Sequence, residues 1–491
     1  MHTGSEFNTV ETPRYYACRG WVLFCFISLI LLSSIASAFN FDNVLAWSVG
    51  ILYVIYDTWL LSYVAWKTRR LTNNPVALNN QHGNKTSQNI THENTVDTLG
   101  VLVPVYNESN VIIATIEKLL EQDSKPKKII IVNDGSTDDT LDKISQHYVF
   151  IHRQHGKNRQ LIQSQQYQNL YLFNKENSGK ADSLNQAMAY LDCDLVVTVD
   201  ADTLLESNAI SEASRAFSNN INLVAACGIL KPVTSGNIFS RIFGGLQYFE
   251  YLRAFLSRAA WSQSNALLLV SGAFSVYKRK ALVVVGGYDP NSLVEDYELI
   301  HRMHKHSCEH SLDWQISVIE NARATTDAPS NVLTFIQQRK RWFAGFLKTQ
   351  FKYRHMIGNR QYKYVGRFML PIKTFDTLQP IFGLIALFLL INFLHTDVEI
   401  ALHVIFIILI KLLIDYCFHF WSLAKYHTWL GQNIPRHRWW QATLCCLADP
   451  FFFQPLRHIS ALIGWSMILT NKVSWEPIRM TPTTKTDPNR E

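Results

Sequence analysis

The sequence predicts an α/β protein: a doubly wound, mostly parallel sheet flanked by membrane and interfacial helices. Three observations carry that expectation. Between about residues 98 and 350, short apolar runs rich in β-branched residues alternate with stretches of helical spacing, the pattern of parallel strands joined by right-handed crossovers. Apolar segments of bilayer-spanning length lie on both sides of this region. The strand-like runs end in polar clusters, foremost Leu195-Val-Val-Thr-Val-Asp200-Ala-Asp202, where two carboxylates close a buried run.

The chain has 491 residues, a formal net charge of +7 and 48% hydrophobic residues. That length allows two to three domains. Gly20 to Phe39 is a first uncharged apolar stretch, and Asn43 to Trp66 a second, broken only by Asp57. Arg14, Arg19 and Ala36-Ser37-Ala38 also fit a cleaved leader, but a second span follows almost at once. Two membrane helices are therefore expected within 1–70. Lys67, Arg69 and Arg70 follow the second and put the middle region in the cytoplasm, whichever reading of the first holds. Residues 71–97 read as a polar linker. Apolar segments from about Thr377 to Leu394, Ile400 to Leu423 and Thr443 to Leu469 predict two to three further spans within 351–475, before a polar tail at 476–491. The last segment holds Asp449-Pro450 and Pro455-Leu-Arg457, and reads as bent or interfacial.

Within 98–350 the elements follow in order. Leu99 to Val105 is a strand, Glu108 to Gln122 a helix and Lys128 to Val132 a second strand. Asp138 to Tyr148 is a helix opened by acids, which suit a helix N-terminus. Phe150 to Asn169 is polar and reads as an insertion loop. Leu170 to Phe173 is a third strand, Lys180 to Leu191 a helix and Asp194 to Val199 the strand before the two acids. Eight cysteines include no Cys-x-x-Cys pair, which argues against a zinc or redox site and fits a reducing cytosol. The modest basic excess reads as membrane-facing charge and not as a nucleic-acid surface.

Four polar clusters then share one edge of the sheet: Tyr106-Asn107-Glu108, Asn133-Asp134-Gly135-Ser136, Asn177-Ser178-Gly179-Lys180 and Asp200-Ala201-Asp202. Open α/β sheets bind ligands at the carboxyl ends of their strands. Each cluster alone has a plainer account, since Asn-Asp-Gly-Ser is good turn chemistry and Lys180 alone would pass for a solvated lysine. Together they suit a nucleotide. Asp134 can accept hydrogen bonds from a base or ribose, Lys180 at a helix start can face phosphate, and Asp200 and Asp202 suit a hard cation, Mg²⁺ or Mn²⁺, holding a diphosphate. No Gly-x-Gly-x-x-Gly is present, which argues against a dinucleotide.

Further on, Ser271-Gly272-Ala273-Phe274 offers close backbone approach to a ligand. Glu295-Asp296 opens a helical pattern. It reads as a helix start or, with Asp296 as a general base, as the group that takes a hydroxyl proton. Gln337-Gln338-Arg339-Lys340-Arg341-Trp342 reads as a basic interfacial helix, with Gln338 and Arg341 on one face. Arg341 can clamp a diphosphate with its planar fork, and Trp342 can stack on a sugar. Asp57, Lys411, Asp415, Asp449 and Arg457 are polar positions inside apolar segments and so candidates for lining a passage, although Lys411 and Asp415, four apart, also suit a simple pair on one helix face.

Asp134, Asp200-Ala-Asp202, Glu295-Asp296 and Gln338-Arg-Lys-Arg341-Trp342 resemble the family 2 membrane glycosyltransferases, the group of the cellulose, hyaluronan, chitin and poly-N-acetylglucosamine synthases. Val-Asn-Asp-Gly-Ser-Thr-Asp, Ser-Gly-Lys-Ala and Val-Ser-Gly-Ala resemble the bacterial poly-β-1,6-N-acetylglucosamine synthases in particular. The resemblance covers about residues 98 to 350. It implies a GT-A-like fold and an inverting, metal-dependent transfer from a UDP-sugar, with UDP-N-acetylglucosamine the leading donor. Asp296 would be the base, supported by Glu295, with Asp134 on the uridine and Asp200 and Asp202 on metal and diphosphate. Gln338 and Arg341 would bind the diphosphate and Trp342 would floor the acceptor site. Tyr106, Glu108, Lys180, Ser271 and Gly272 complete the expected substrate-binding set. Val294 stands where the family often has Thr, which weakens any acceptor role there. The acceptor would be a growing polysaccharide with coupled export or, alternatively, a glycolipid, as in ceramide glucosyltransferases; a transport or scaffold subunit with a dead transferase fold is a third reading, against which all the acids stand intact. The expected setting is the inner or plasma membrane, with the catalytic domain cytoplasmic, the bilayer as a partner, no nucleic acid and room for an accessory membrane subunit.

Overall fold

The computed structural model describes residues 43–72, 97–150, 161–234 and 236–470, with scattered positions between 22 and 40. Most of the expected first membrane helix, most of the 71–97 linker, the 151–160 stretch and the 476–491 tail lie outside the described residues.

Helix α1 (Ser48–Thr68) leads to a nine-stranded sheet. The first half alternates as its sequence pattern predicts: β1 (Leu99–Val105), α2 (Ile112–Leu120), β2 (Lys128–Asp134), α3 (Thr140–His147), β3 (Leu161–Gln163), β4 (Leu170–Lys175), α4 (Lys180–Met188) and β5 (Leu195–Val199). The chain continues through β6 (Thr203–Leu205), α5 (Ala209–Asn219), β7 (Leu223–Val233), α6 (Ile238–Ser262), β8 (Phe274–Lys278), α7 (Arg279–Val284), α8 (Glu295–Glu309), β9 (Gln315–Asp327) and α9 (Val332–Lys352). The strand order is β3-β4-β2-β1-β5-β8-β7-β9-β6.

The run β4-β2-β1-β5 is parallel, with Val101 opposite both Ile129 and Val197. Its inner strands are buried on both faces, which is why they read as continuous apolar runs. Beyond β5 the sheet is mixed. β8 runs antiparallel to β5 and β7, and β9 is parallel to β7. The expected parallel sheet is thus the first half of a larger mixed one. The expected loop at Phe150 to Asn169 needs correction in its described part, because Leu161–Gln163 pairs antiparallel with β4 as an edge strand. A polar run reads as loop, yet an edge strand tolerates polar residues because one side meets water.

This topology sends many segment ends to one edge. β1, β2, β4, β5, β7 and β9 end there, and antiparallel β8 begins there, so Ser271-Gly272-Ala273 joins the polar clusters. Asp200 N–H donates to Ala273 O at 3.2 Å.

The C-terminal region holds α10 (Leu370–Thr396), α11 (Val398–Leu430), α12 (Arg436–Ala448) and α13 (Gln454–Leu469), with a π-helical turn at Asp449–Phe453 between the last two. Among the described residues, three helices are long and apolar enough to cross a membrane: Val44–Thr68, Val365–Thr396 and Val398–Leu430. The Thr443 to Leu469 segment is not one of them; it is built from α12, the π turn and α13.

Candidate active site

Along the sheet edge and beneath α9 lies a cavity of about 830 Å³. Tyr106, Glu108, Asp134, Lys180, Asp200, Asp202, Ser271, Gly272, Glu295, Asp296, Gln338, Arg341 and Trp342 all line it. Residues spread over more than two hundred positions therefore meet in one space.

The loops after the first strands are tied together. Asn107, at φ 58°, accepts at its side-chain oxygen from Thr137 N–H at 2.8 Å. Glu108 N–H donates to Thr140 Oγ1 at 2.9 Å. Gly135 takes φ 68°, and a Cβ there would come within 2.7 Å of Asn177 N. Only glycine suits both the conformation and the close approach. Asp134 is 2% exposed. It accepts from Lys175 Nζ at 2.6 Å and from Ser178 and Gly179 N–H, each at 2.9 Å. It therefore clamps the loop that leads to Lys180 while still facing the cavity.

Lys180 bridges two acids from different elements, Asp200 Oδ1 at 2.7 Å and Glu295 Oε1 at 3.0 Å. Burial works against its charge, but those carboxylates outweigh burial and raise its pKa. Glu295 and Asp296 start α8, whose first turn carries three acids and no base. Asp296 accepts from Gly272 N–H and Tyr297 N–H, each at 2.8 Å. The two neighbouring acids diverge. Burial opposes ionisation of Glu295, but Lys180 prevails and holds its carboxyl below the usual range. Asp296 is pushed up to about 6, first by burial and then by Glu295. A pair split in this way supplies one permanent anion and one carboxyl poised to exchange a proton. A Cβ on Gly272 would lie 3.1 Å from Lys180 Nζ and 3.2 Å from Asp296 Oδ2, so its absence keeps that corner open.

A second corner gathers Glu108, Asp200, Asp202 and Asp327. Burial, then Asp202 and Asp200, push Glu108 up to about 8. Burial, then Asp200 and Asp327, push Asp202 up to about 7. Asp202 Oδ1 also accepts from Thr203 Oγ1 at 3.2 Å. Buried acids that repel one another are a fitting place for a divalent cation. Among the described residues no group of three His, Cys, Asp or Glu side chains is arranged to hold a metal ion by itself.

On α9, Gln338 is buried and accepts from Arg339 Nη1 at 3.0 Å. Arg339 is itself buried, pairs with Glu250 on α6 and lies over the Trp342 ring at 4.0 Å. Arg341 faces the cavity near Glu295. Val294 packs toward Gly345 in the core, so its methyls do structural work.

Past Trp342 the cavity continues between α6, α10 and α13, lined by Glu250, Lys373, Asp376, Gln379, Arg457 and His458. Of the five charges expected to line a passage, Arg457 alone does so. Lys411 pairs with Asp57 at 2.7 Å across α11 and α1 and with Asp415 along α11, and Asp449 pairs with Arg253 at 3.1 Å. Asp57, Lys411 and Asp449 thus pair with a neighbouring helix, and Asp415 with its own.

Asp327, Lys175, Glu250 and Arg339 were missed by sequence reasoning. Asp327 ends a strand at the same edge, and the strand-end argument reaches it once Gln315–Asp327 is recognised as a strand. The other three have no sequence signal apart from charge.

Comparison with known proteins agrees with this geometry. Residues 100–286 match the model of "Glycosyl transferase family 2", and residues 195–470 match that of "Glycosyl transferase family group 2". A poly-β-1,6-N-acetyl-D-glucosamine synthase of Staphylococcus epidermidis is 28% identical over 251 residues, 51% of this chain and 55% of that protein. The synthase of Staphylococcus aureus strain MSSA476 is 28% identical over 248 residues, 50% and 53% of the two chains. The chain thus spans about half the length of the curated relatives it matches. A mannosyltransferase from Pyrobaculum calidifontis, solved with GDP-Man and Mn²⁺, superposes with a TM-score of 0.51 over 87% of this chain and 99% of that one, at 16% identity. That likeness shows the fold alone, a GT-A-like sheet with appended helices. Because the second family match takes in more than half of the 491 residues and the first takes in the ends of β1, β2, β4 and β5 that line the cavity, the chain belongs to the family 2 glycosyltransferases.

Proposed function

We propose that the protein is a membrane-embedded inverting glycosyltransferase that moves N-acetylglucosamine from its UDP ester to a growing polysaccharide. The observation that carries the reading is the shared cavity, lined at once by Asp296, which two backbone N–H groups hold, by Glu108, Asp200, Asp202 and Asp327, and by Trp342. The acceptor hydroxyl attacks the anomeric carbon from the side opposite the diphosphate. Its proton passes to a carboxylate oxygen of Asp296, and the bond from carbon to the UDP oxygen breaks with its electrons staying on UDP. Glu295 stays ionised through Lys180 and keeps the base from being over-stabilised as an anion. Asp202 and Asp200 would hold Mg²⁺ or Mn²⁺, which would neutralise charge on the leaving diphosphate. Lys180, Gln338 and Arg341 add donors to the same phosphates. Asp134, with the loops of Tyr106 and Glu108, forms the floor for the uridine. Ser271 and Gly272 leave room for the sugar.

The acceptor would lie on Trp342 and extend along the polar lining between α10 and α13, which supports a chain leaving through membrane helices. The named activity of the Staphylococcus relatives supports N-acetylglucosamine as the sugar. The site belongs on the cytoplasmic side of the membrane, where nucleotide sugars are made.

The test is a screen of UDP-sugars with the purified full chain, followed by sizing of the product. Long polymer from UDP-N-acetylglucosamine is the expected result. A single sugar on a lipid would move the protein to the glycolipid class, and no UDP release from any donor would remove the proposal. Asp202→Ala should abolish the turnover that chelators suppress; full activity in that variant would strike out the metal role.

A further inference from the structure

The Gln338-to-Trp342 segment contains a charge that the reaction above does not use. Arg339 is 1% exposed, yet lines the same cavity. Its guanidinium lies between two rings, 4.0 Å from the Trp342 centroid and 4.6 Å from that of Phe335. Nη1 donates to Gln338 Oε1 at 3.0 Å, and Nη2 pairs with Glu250 on α6. The other oxygen of Glu250 faces Arg457 on α13 at 3.5 Å.

We propose that Arg339 is a positioning residue: clamped by Glu250, it holds the Trp342 indole flat as the surface on which the acceptor sugar lies. This rests on the acceptor reading of Trp342 given above. A planar cation over an aromatic face both attracts the ring and restricts its rotation. Trp342 and Arg339 both line the cavity, so a cation fixed over one face of the indole sets how the ring is presented to an acceptor there. Glu250 anchors the guanidinium from a neighbouring helix, which takes the orientation out of the hands of α9 alone. Lysine would keep the charge and the partner, but an ammonium has no plane to stack.

The test measures two quantities with the donor that the screen selects: UDP released, and sugar built into product. Arg339→Lys should release UDP to water within about twofold of the parent rate, while the sugar incorporated per UDP falls about tenfold. Glu250→Gln, which loosens the clamp and keeps the stack, should lower the same ratio by about threefold. One result overturns the proposal: an unchanged ratio in Arg339→Lys, whether both quantities hold or fall together, the latter making Arg339 a strut between helices. Should Arg339→Lys fail to accumulate, the ratio in Glu250→Gln decides. Failure of the underlying transferase reading is seen separately, in a parent protein that releases no UDP.

Discussion

Asp296, which we propose as the base, has surroundings that pull in opposite directions. Burial and Glu295 raise its carboxyl to about 6, while Gly272 N–H, Tyr297 N–H and the start of α8 stabilise the anion. A base must be deprotonated to accept the acceptor's proton, so activity is lost as pH falls through the raised pKa. The ratio kcat/KM should climb about tenfold per pH unit below about 6 and level off above it. Asp296→Asn should remove that limb and lower turnover by about 10²- to 10⁴-fold, with donor binding retained. Glu295→Gln should keep the limb but move it to lower pH, since the repelling charge is gone and Lys180 is freed toward Asp296. A limb that stays in place in Glu295→Gln would contradict the pairing. These acids were legible in the sequence because strand ends and helix starts announce themselves by composition. Arg339 was not: in Gln-Gln-Arg-Lys-Arg only Arg341 stood out, as a phosphate clamp, and packing alone decides that Arg339 is the buried cation of the three.

At the scale of elements, α9, which carries the proposed acceptor surface at Trp342, is held from two directions. Asn331 caps its start by accepting from Thr334 N–H at 3.0 Å. Gly345 receives the Val294 side chain from the start of α8, so the helix that starts with Glu295-Asp296 and the helix with Trp342 pack together there. Gly464 of α13 crosses the other face, where a Cβ would lie 2.3 Å from Lys340 O and 3.2 Å from Ala344 N. Those are backbone atoms of a helix and have no rotamer to yield. Gly464→Ala must therefore move α13 away from α9, at a cost of about 1–3 kcal/mol. The expected outcome is a lower thermal midpoint in detergent together with less product per UDP released, because Arg341 and Trp342 flank the contact. A lower midpoint with unchanged product yield would show that α13 supports the fold and not the site. The sequence placed an apolar segment at Thr443 to Leu469, but an apolar run reads alike against lipid or against another helix, and the contact with α9 lies beyond it.

Across the whole molecule, the long apolar helices and the cavity have a defined arrangement. Trp47 Nε1 donates to Ala386 O at 2.8 Å, and Tyr56 Oη to Ile372 O at 3.3 Å, so α1 and α10 run antiparallel. The Asp57–Lys411 pair ties α1 to α11 between the two ends. At the end of α1, Lys67 donates to Ser264 Oγ at 3.1 Å, and Arg69 O accepts from Lys425 Nζ at 2.6 Å. The catalytic domain, the basic end of α1 and the end of α11 thus sit together, and the turn at 396–398 between α10 and α11 sits at the opposite end. Lys67, Arg69 and Arg70 favour the cytoplasm for the first group, and a sugar nucleotide is to be had there. In intact cells, a membrane-impermeant thiol reagent should label a cysteine placed at Thr396 and leave one at Lys125 unlabelled until the membrane is opened. Labelling at Lys125 in intact cells would turn the site toward the outside and deprive it of its donor. Labelling at neither position before opening would mean that α10 and α11 enter the bilayer without crossing it, and the polar lining beside Arg457 would then serve a lipid-borne acceptor held at one face instead of a chain on its way out.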